Sequence, residues 1–433
     1  MSTPGAHQAE QLAREQRHLA SGISEEAQVG ARVFASGSGD HLFDTEGNRY
    51  IDFAAGILTQ SVGHCHPQVV AAMQEQIGKL WNVHDCATPG RAALGEMLAS
   101  LMPHGLDAFC FLSTGAEAVE AAIRAVWSIA APGRNRVGAL RYGFHGKTAG
   151  ARQLVHWDIG HQSFSGNSIL AYSPYCYRCP LELSYPSCDL QCAKLAKRHI
   201  ARDNVAAFFF EPVLGAAGVI VPPPGYWDII GEACRAHGVL LVADEIVTGG
   251  GRAGTFLAST RLGIEPDLVT MAKGLGSGFP FAVLAGRKEI MNSPAFGAPG
   301  SSSSTFASNP LGLCAAQTTL DVIVAEDLLA RVLRLELRIA PQLQQLAERF
   351  EAVGEVRGLG LLYGIEFVRD KASRTPNPQA ARRVFTLCLD MGLRLCLGGH
   401  ILRLAPPFNV AEESVDEALA ILERAIAQQQ QEA

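Results

Sequence analysis

The sequence predicts an α/β fold in the middle of the chain and an α+β domain after it. Three observations predict this. Short apolar runs alternate with helical patterns through the middle section, as in a doubly wound sheet. The final part, about 110 residues, begins with a long amphipathic helix and continues with strand-like segments and a last helix. With 433 residues, the chain is also too long for one simple core.

The apolar runs of the middle section predict strands that are covered on both faces, because successive residues are apolar rather than alternating. These strands are predicted at Ala108–Leu112, Val205–Phe210 and 239–243, with helices at 116–127 and 227–237. In the final part, helices are predicted at 328–350 and 412–428, and strands at 361–367 and Ile401–Leu404.

Composition and charge narrow the class of protein. The chain is 48% hydrophobic and 18% charged, which is ordinary for a globular protein. A net charge of −6 and a pI of about 6.1 favour neither nucleic acid nor an anionic membrane as a partner. No apolar run is long enough for a transmembrane helix, and the polar residues 1–30 predict a mobile arm or short helix rather than a signal peptide.

The cysteines number 11 and are mostly scattered, which predicts a reduced, cytoplasmic protein. Four of them form a cluster in the sequence: Cys176, Cys179, Cys188 and Cys192. Their spacing loosely resembles a zinc ribbon, but a loop of reduced thiols and a disulfide remain alternatives. We predict no metal in the functional site itself.

Two segments indicate chemistry at the edge of the predicted sheet. An apolar strand ends in Asp244 and Glu245, at the carboxyl edge where open α/β sheets bind ligands. About 30 residues later, Lys273 follows another short strand and precedes Gly274, so its amine has the clear approach that a Schiff-base lysine needs. Taken singly, a capping aspartate and a surface lysine are the simpler explanations.

Two further segments suit a phosphorylated, planar ligand. Residues 111–117 run from a strand into a helix, and the free N–H groups of Gly115 and Ala116 suit a phosphate. Ser113 or Thr114 also fits as the helix N-cap. Phe144 lies between glycines, where a ring can stack on a cofactor or belong to the core.

Together these segments resemble the class III aminotransferases, which depend on pyridoxal 5′-phosphate and have fold type I. The resemblance covers about residues 30 to 425. The matching blocks, in order, are DTEGNRYIDF at 44–53, GHCHP at 63–67, STGAEA at 113–118, EPVLG at 211–215, DEI at 244–246, AKG at 272–274, STF at 304–306 with NP at 309–310, VRG at 356–358 and LRLAPP at 402–407.

The resemblance implies a role for each matching residue. Lys273 is implied to hold the cofactor as a Schiff base and to move the proton, and Asp244 to pair with the pyridine nitrogen, which lets the ring accept electrons. The other implied cofactor contacts are Thr114, Gly115 and Ala116 at the phosphate, Phe144 and Ile246 on the two ring faces, and His145 and Glu211. Arg403 is implied to receive the carboxylate of a 2-oxo acid.

The resemblance also implies an assembly and a domain layout. Thr305 is implied to reach the phosphate bound by the other subunit, which makes the enzyme a homodimer with shared active sites. The expected domains are 1–62, an N-terminal arm and part of a small domain; 63–320, the large cofactor-binding domain; and 321–433, the C-terminal small domain.

The sequence departs from the family's pattern at three places. Val247 stands where a glutamine is common, and Gly250 where a phenylalanine is common. Ala216 replaces a glutamate that pairs with the arginine in some relatives. The resemblance therefore predicts a wide site in which Arg403 is less guarded.

Alternatives remain open for the type of reaction and for the amino donor. A pyridoxal-phosphate decarboxylase or aminomutase, similar to dialkylglycine decarboxylase, is the alternative within the fold, and a non-catalytic scaffold built on the cysteine cluster is the alternative outside it. The tract 174–188 resembles that of ω-amino-acid aminotransferases and of aminotransferases of aminoglycoside antibiotic biosynthesis. We therefore expect an ω-amino acid or an amino sugar as the donor and a 2-oxo acid as the acceptor, in a ping-pong reaction.

Overall fold

The chain divides into two compact units. The computed structural model describes residues 5–155, 168–202, 204–294 and 296–432. The smaller unit comprises Met1–Pro67 and Ala330–Ala433, and the larger unit comprises Gln68–Leu329. The predicted domain boundaries at residues 62 and 320 stay predictions.

The strands are numbered along the chain. They are β1 (Phe34–Ser38), β2 (His41–Asp44), β3 (Arg49–Asp52), β4 (Ala108–Leu112), β5 (Arg136–Leu140), β6 (Ser168–Ala171), β7 (Val205–Phe210), β8 (Leu240–Asp244), β9 (Leu268–Met271), β10 (Ala282–Gly286), β11 (Val353–Gly358), β12 (Tyr363–Phe367), β13 (Leu393–Arg394), β14 (Cys396–Gly398) and β15 (Ile401–Leu404).

The helices are numbered in the same way. They are α1 (Ala6–His18), α2 (Glu25–Gly30), α3 (Ala55–Leu58), α4 (Pro67–Ile77), α5 (Pro89–Leu101), α6 (Gly115–Ile129), α7 (Ala149–Arg152), α8 (Gln191–Arg202), α9 (Tyr226–His237), α10 (Ala258–Arg261), α11 (Lys288–Met291), α12 (Pro310–Ala325), α13 (Leu328–Arg349), α14 (Pro378–Asp390) and α15 (Glu412–Glu432). Short 3-10 turns lie at Cys176–Arg178 and Lys273–Gly276.

The larger unit is built on a seven-stranded sheet of order β4-β10-β9-β8-β7-β5-β6. β10 runs antiparallel to both of its neighbours, and the strands from β9 to β6 are parallel to one another. All six residues of β7 are buried, as expected for a strand covered on both faces. The predicted α/β fold with a mostly parallel sheet is confirmed.

The bounds of β8 differ by one residue from the prediction. The N–H of Val239 donates to the carbonyl of Cys234 and closes the end of α9, where Gly238 has a φ of 59°. Val239 therefore belongs to the helix cap, and β8 runs from Leu240 to Asp244. The shift places Asp244 itself at the last position of the strand.

Helix α6 packs closely on the sheet because its buried face is made of small residues. Ala118, Ala121, Ala122 and Ala125 are fully buried in a core that includes Val242 of β8. Small side chains let the helix backbone approach the strands. The start of α6 is thereby fixed beside the end of β4.

The smaller unit contains two four-stranded sheets, of order β1-β2-β3-β13 and β11-β12-β15-β14, together with helices α14 and α15. Its mixed content agrees with the predicted α+β domain. The N-terminal segment forms helices rather than a free arm, because the buried Gln8 donates to Asp44 at 3.0 Å and accepts from the N–H of Val33 at 3.1 Å. None of the described helices has the length and apolar character that spanning a membrane requires.

Candidate active site

Two adjacent parallel strands of the larger unit deliver the predicted acid and the predicted lysine to one edge of the sheet. Asp244, the last residue of β8, is the register partner of Thr270 in β9. Lys273 follows β9 by two residues and opens a 3-10 turn with a φ of +46°. A positive φ is unfavourable for a lysine, so the surrounding turn holds its backbone in a strained conformation. Lys273 is partly buried there.

Asp244 is held in place by two hydrogen bonds. Its Oδ2 lies 2.7 Å from Nδ1 of His145, and its Oδ1 accepts from the N–H of Ile246 at 3.1 Å. Both members of the His145–Asp244 pair are buried, with side chains only 1% and 3% exposed. Burial lowers the pKa of His145, but the hydrogen bond and charge of Asp244 outweigh it, and the pKa is raised. The pair therefore favours a charged imidazolium against a carboxylate.

Glu211 lies immediately after β7 and joins this pair. It is buried, and its Oε2 accepts from the N–H of Phe144 at 3.3 Å. Burial raises the pKa of Glu211 to about 7, although His145, the Phe144 N–H and Lys273 act to lower it. Glu211 therefore feels the charges of His145, Asp244 and Lys273.

The start of α6 lies in the same part of the unit. The hydroxyl of Thr114 accepts from the N–H of Glu117 at 3.2 Å, and the Glu117 carboxylate accepts from the N–H of Thr114 at 2.9 Å, which forms a capping box. A Cβ on Gly115 would lie 2.9 Å from Cδ1 of Ile246. The predicted cap is confirmed, and Gly115 lies in close contact with the Ile246 side chain, which would have to shift to admit a Cβ.

The loop that carries Phe144 and His145 packs on this helix start. Gly146 has a φ of +130°, and a Cβ there would lie 2.9 Å from the Cβ of Ala116. A Cβ on Gly143 would lie 3.1 Å from Nε2 of His145. The two glycines that flank Phe144 and His145 therefore permit the close packing that brings His145 to Asp244.

Glu245, the second carboxylate of the strand end, is a structural anchor. It accepts from the N–H of Ser259 at 2.7 Å, from the Ser259 hydroxyl at 2.5 Å and from the N–H of Ala258 at 3.1 Å, and the Thr248 hydroxyl also donates to it. These bonds tie the loop after β8 to α10. Of the two acids, Asp244 is the one that bonds to His145.

The two remaining predicted residues are Thr305 and Arg403. Thr305 is in an exposed loop of the larger unit, where its carbonyl accepts from Asn82 at 2.9 Å. Arg403 belongs to the smaller unit, on β15, opposite Gly364 on one side and Cys396 on the other. The predicted roles of these two residues stay predictions.

The four clustered cysteines are part of a set of 11 that all lie in the described residues and are free thiols. Cys176 is exposed, and the other three are partly buried. Among the described residues, no group of three or more His, Cys, Asp or Glu side chains is arranged to hold a metal ion.

Pyridoxal phosphate fits the residues present. A buried carboxylate at a strand end suits a protonated ring nitrogen, and a primary amine lies on the next strand. The helix start at Gly115 offers backbone N–H groups to a phosphate, and the absence of a side chain at Gly115 keeps it in close contact with Ile246. When bound, this cofactor forms a linkage to amines and withdraws electrons from the carbon that bears the amino group.

Comparison with known proteins decides the family. Residues 23–426 match the family model "Aminotransferase class-III". The chain is a class III aminotransferase. It is an enzyme that uses pyridoxal 5′-phosphate, and the predicted family, fold type and cofactor are confirmed.

The relatives of this aminotransferase are named for several different activities. It is 34% identical to a 5-aminovalerate aminotransferase of Pseudomonas putida, over 89% of this chain and 91% of that protein. It is also 34% identical to a leucine/methionine racemase of Thermococcus litoralis, over 89% and 88% of the two chains. The structure of an (S)-enantioselective ω-transaminase from Thermomicrobium roseum matches with a TM-score of 0.91 and 30% identity, over 97% and 98% of the chains.

Sequence reasoning missed the contacts that assemble this aminotransferase's site. Glu211 and His145 are 66 positions apart (211 − 145), and no spacing rule links them. The two glycines around Phe144 were visible, but their partners Ala116 and His145 were not. The sequence did carry one local signal, because the spacing of Thr114 and Glu117 is typical of a capping box.

Proposed function

We propose that this aminotransferase moves the amino group of an ω-amino acid to a 2-oxo acid in a ping-pong reaction. What carries the proposal is the position of Lys273 at the sheet edge where Asp244, His145 and Glu211 also lie. The donor class is supported by the similarity to 5-aminovalerate and 4-aminobutyrate aminotransferases, at 34% and 32% identity. The cytoplasm is proposed as the compartment, since the cysteines are free thiols.

The residues of the larger unit have different roles in the proposed reaction. With the cofactor bound, Lys273 would move a proton to and from the carbon that bears the amino group. Asp244, positioned by its hydrogen bond with His145, would pair with the ring nitrogen of the cofactor. Gly115 and Ala116 would hold the phosphate through their N–H groups, and Phe144 and Ile246 would contact the ring. Thr114 supports this arrangement by capping the helix.

Arg403 gives the acceptor its orientation. A guanidinium binds a carboxylate in a bidentate, charge-assisted manner. The carboxylate of a 2-oxo acid lies next to the reacting carbon, whereas that of an ω-amino acid lies several bonds away. Arg403 therefore acts in the half-reaction of the oxo acid more than in that of the donor.

Single-turnover rates of the two half-reactions test this proposal. Arg403→Ala is expected to weaken the oxo-acid half-reaction about 30- to 1000-fold, the loss of about 2–4 kcal/mol of charge-assisted hydrogen bonding. The half-reaction with 5-aminovalerate is expected to change much less. Equal damage to both would show that Arg403 serves the 5-aminovalerate half-reaction as well, and its proposed role as the receptor of the oxo acid alone would be wrong.

A donor screen separates the remaining alternatives. Transfer from 5-aminovalerate or 4-aminobutyrate to pyruvate or 2-oxoglutarate supports the proposal. Transfer from an aminoglycoside but not from these acids would favour the amino-sugar donor and a role in antibiotic biosynthesis. Release of CO₂, or migration of the amino group within one molecule, would favour the decarboxylase or aminomutase alternative, and inversion of leucine or alanine the racemase activity named for two relatives.

A further inference from the structure

A carboxylate on helix α6 holds the segment that follows the loop of Phe144 and His145. Oε1 of Glu120 accepts from the Thr148 hydroxyl at 2.6 Å. The same atom accepts from the N–H groups of Gly150 and Ala151, at 2.8 and 3.1 Å. All three donors belong to α7 or to the residue directly before it. Helices α6 and α7 are therefore joined at one oxygen atom.

These bonds replace the ordinary cap of α7. Thr148 is the N-cap residue, yet its side chain makes no capping hydrogen bond. In most helices the N-cap side chain accepts from the second or third N–H of the helix. In α7 those N–H groups belong to Gly150 and Ala151, and Glu120 accepts from both. A neighbouring helix therefore supplies the cap, and removal of the Glu120 carboxylate would remove it.

The capped helix packs on the loop that carries His145. A Cβ on Gly146 would lie 3.0 Å from the Cβ of Ala151 and 2.9 Å from that of Ala116. Gly146 is thus held between α7 and the start of α6, and Ala151 is fully buried. The preceding residue, His145, lies 2.7 Å from Asp244. Because these groups are closely packed, a displacement of α7 would disturb the packing beside His145.

We propose that Glu120 is a positioning residue that fixes the loop of Phe144 and His145 on helix α6, so that the phosphate-binding end of the helix and the ring-contacting loop keep one geometry. The inference rests on the proposed cofactor contacts of Phe144 and of the start of α6. Glu120 lies one turn beyond Glu117, which caps α6 itself. The two acids therefore have separate roles, since Glu117 orders the phosphate end and Glu120 orders the loop.

A loop that is already fixed in the free protein favours cofactor binding. When only a fraction of the molecules have the binding-competent loop, the apparent affinity is reduced by that fraction. Loss of a helix cap changes a folding equilibrium about 2- to 30-fold. Glu120→Ala is therefore expected to increase opening of the loop by up to about 30-fold, and to weaken cofactor binding by up to the same factor.

The variants are chosen to separate the hydrogen bonds from the helix that carries Glu120. Glu120→Ala removes the acceptor, whereas Glu120→Gln keeps an oxygen at the Oε1 position, which accepts all three bonds. Thr148→Val removes one donor, and it removes no cap because the Thr148 side chain makes none. Arg124→Ala, at an exposed position one turn further along α6, is the matched control. Phe144→Leu tests the ring contact on which the inference rests.

Hydrogen exchange and cofactor titration measure the two effects on the full chain. Residue-resolved hydrogen exchange, without and with cofactor, follows the amide of Phe144, which donates to Glu211 and not to Glu120. Its protection reports on the loop and not on the bonds that the variant removes. Titration of the cofactor-free protein with pyridoxal 5′-phosphate, followed by intrinsic fluorescence, gives the affinity. Visible circular dichroism of the loaded protein reports on the surroundings of the bound ring.

Glu120→Ala is expected to lower the protection of the Phe144 amide, to weaken cofactor affinity and to change the visible circular dichroism. Glu120→Gln and Arg124→Ala should match the wild type within about twofold. Thr148→Val should act in the same direction as Glu120→Ala but less strongly. Adding it to Glu120→Ala should have no further effect, because the hydroxyl has then already lost its acceptor. A general weakening of helix α6 would produce neither the rescue by glutamine nor this non-additivity.

The variants distinguish failure of the inference from failure of the proposed ring contact. If Phe144→Leu binds the cofactor as tightly as the wild type, the ring contact is wrong and the inference is wrong with it. If Phe144→Leu binds weakly but Glu120→Ala keeps the wild-type protection at Phe144 or the wild-type affinity, the contact stands and the role of Glu120 is wrong. If Glu120→Ala does not fold, wild-type protection and affinity in Thr148→Val overturn the inference.

Discussion

At the scale of single residues, the carboxyl group of Glu211 links the stability of this aminotransferase to pH. Its pKa is about 7 in the folded protein, against an ordinary value of 4.5. Because the folded value is the higher one, the stability that Glu211 contributes is complete below about pH 4.5 and is lost as pH rises through about 7. The difference corresponds to about 3 kcal/mol.

Glu211→Gln should remove this pH dependence. We expect the variant to be more stable than the wild type at about pH 8, by up to about 3 kcal/mol, and the gap to close towards about pH 5. Thermal unfolding of the two cofactor-free proteins across this range measures it. Glu232→Gln, at an exposed position on α9, is the control. Parallel profiles for wild type and Glu211→Gln would mean that Glu211 is already ionised in the folded protein at low pH.

Lys273 is the residue that we propose to carry the chemistry. Lys273→Ala is expected to lower turnover at least about 10²- to 10⁴-fold, since it removes the group that moves the proton. After borohydride reduction, mass spectrometry should find the cofactor attached to the wild-type peptide that contains residue 273 and should find none on the variant. Lys288→Ala, which removes an exposed lysine paired with Asp107, is the control. Turnover near the wild-type rate in Lys273→Ala would contradict the assignment.

At the scale of helices and strands, the sequence predicts best where one local signal decides the structure. β4, β7 and β15 have the predicted bounds. β4 and β7 are continuous apolar runs, and the apolar run of β15 is interrupted only by Arg403. The cap of α6 follows from the spacing of Thr114 and Glu117. The N-terminal helices were harder to predict, since Gln8 and Glu26 dock through buried hydrogen bonds that leave no apolar periodicity.

Sequence patterns could not predict the side-chain contacts between elements that are distant in the sequence. The His145–Asp244 pair joins the loop after β5 to the end of β8, and Glu211 joins both from the end of β7. The parallel order of these strands brings their carboxyl ends together, which the sheet prediction did imply. Which side chains then touch depends on the packing at Gly143 and Gly146, and this is a property of the assembled unit.

Variants of the cysteine loop between β6 and α8 test whether this loop takes part in the reaction. Its thiols are free, and the predicted cofactor contacts lie in other segments. The double variant Cys176→Ser with Cys179→Ser should keep kcat within about twofold while changing stability by about 1 kcal/mol or less, as exposed or partly buried substitutions do. Cys65→Ser with Cys86→Ser, at two exposed cysteines elsewhere, is the control. Loss of activity with an intact fold and full cofactor occupancy would show that the loop takes part in the reaction.

At the scale of the whole molecule, the surface around Thr305 fits burial against a second copy of the chain. Trp81 and Phe306 are 63% and 65% exposed, and they flank Asn82 and Thr305, which are joined by a hydrogen bond of 2.9 Å. Large exposed aromatic side chains brought together in this way mark interaction surfaces. Phe306→Asp is therefore expected to yield monomers with reduced cofactor occupancy in sedimentation at the assay concentration, whereas Leu337→Asp, at an exposed position of α13, should leave the assembly unchanged.

Mixing two inactive variants tests whether the sites are shared. Lys273→Ala lacks the lysine, and Thr305→Ala is expected to lose much of its cofactor if Thr305 completes the phosphate site of the partner, as predicted. In a mixed dimer, one site then receives both substitutions, while the other combines an intact Lys273 with an intact Thr305 from the partner. Random reassociation of equal amounts makes half of the dimers mixed, so about a quarter of the wild-type activity should return. If Thr305 served the site of its own chain, every site of the mixed dimer would carry one substitution, and no activity beyond that of the parents would appear.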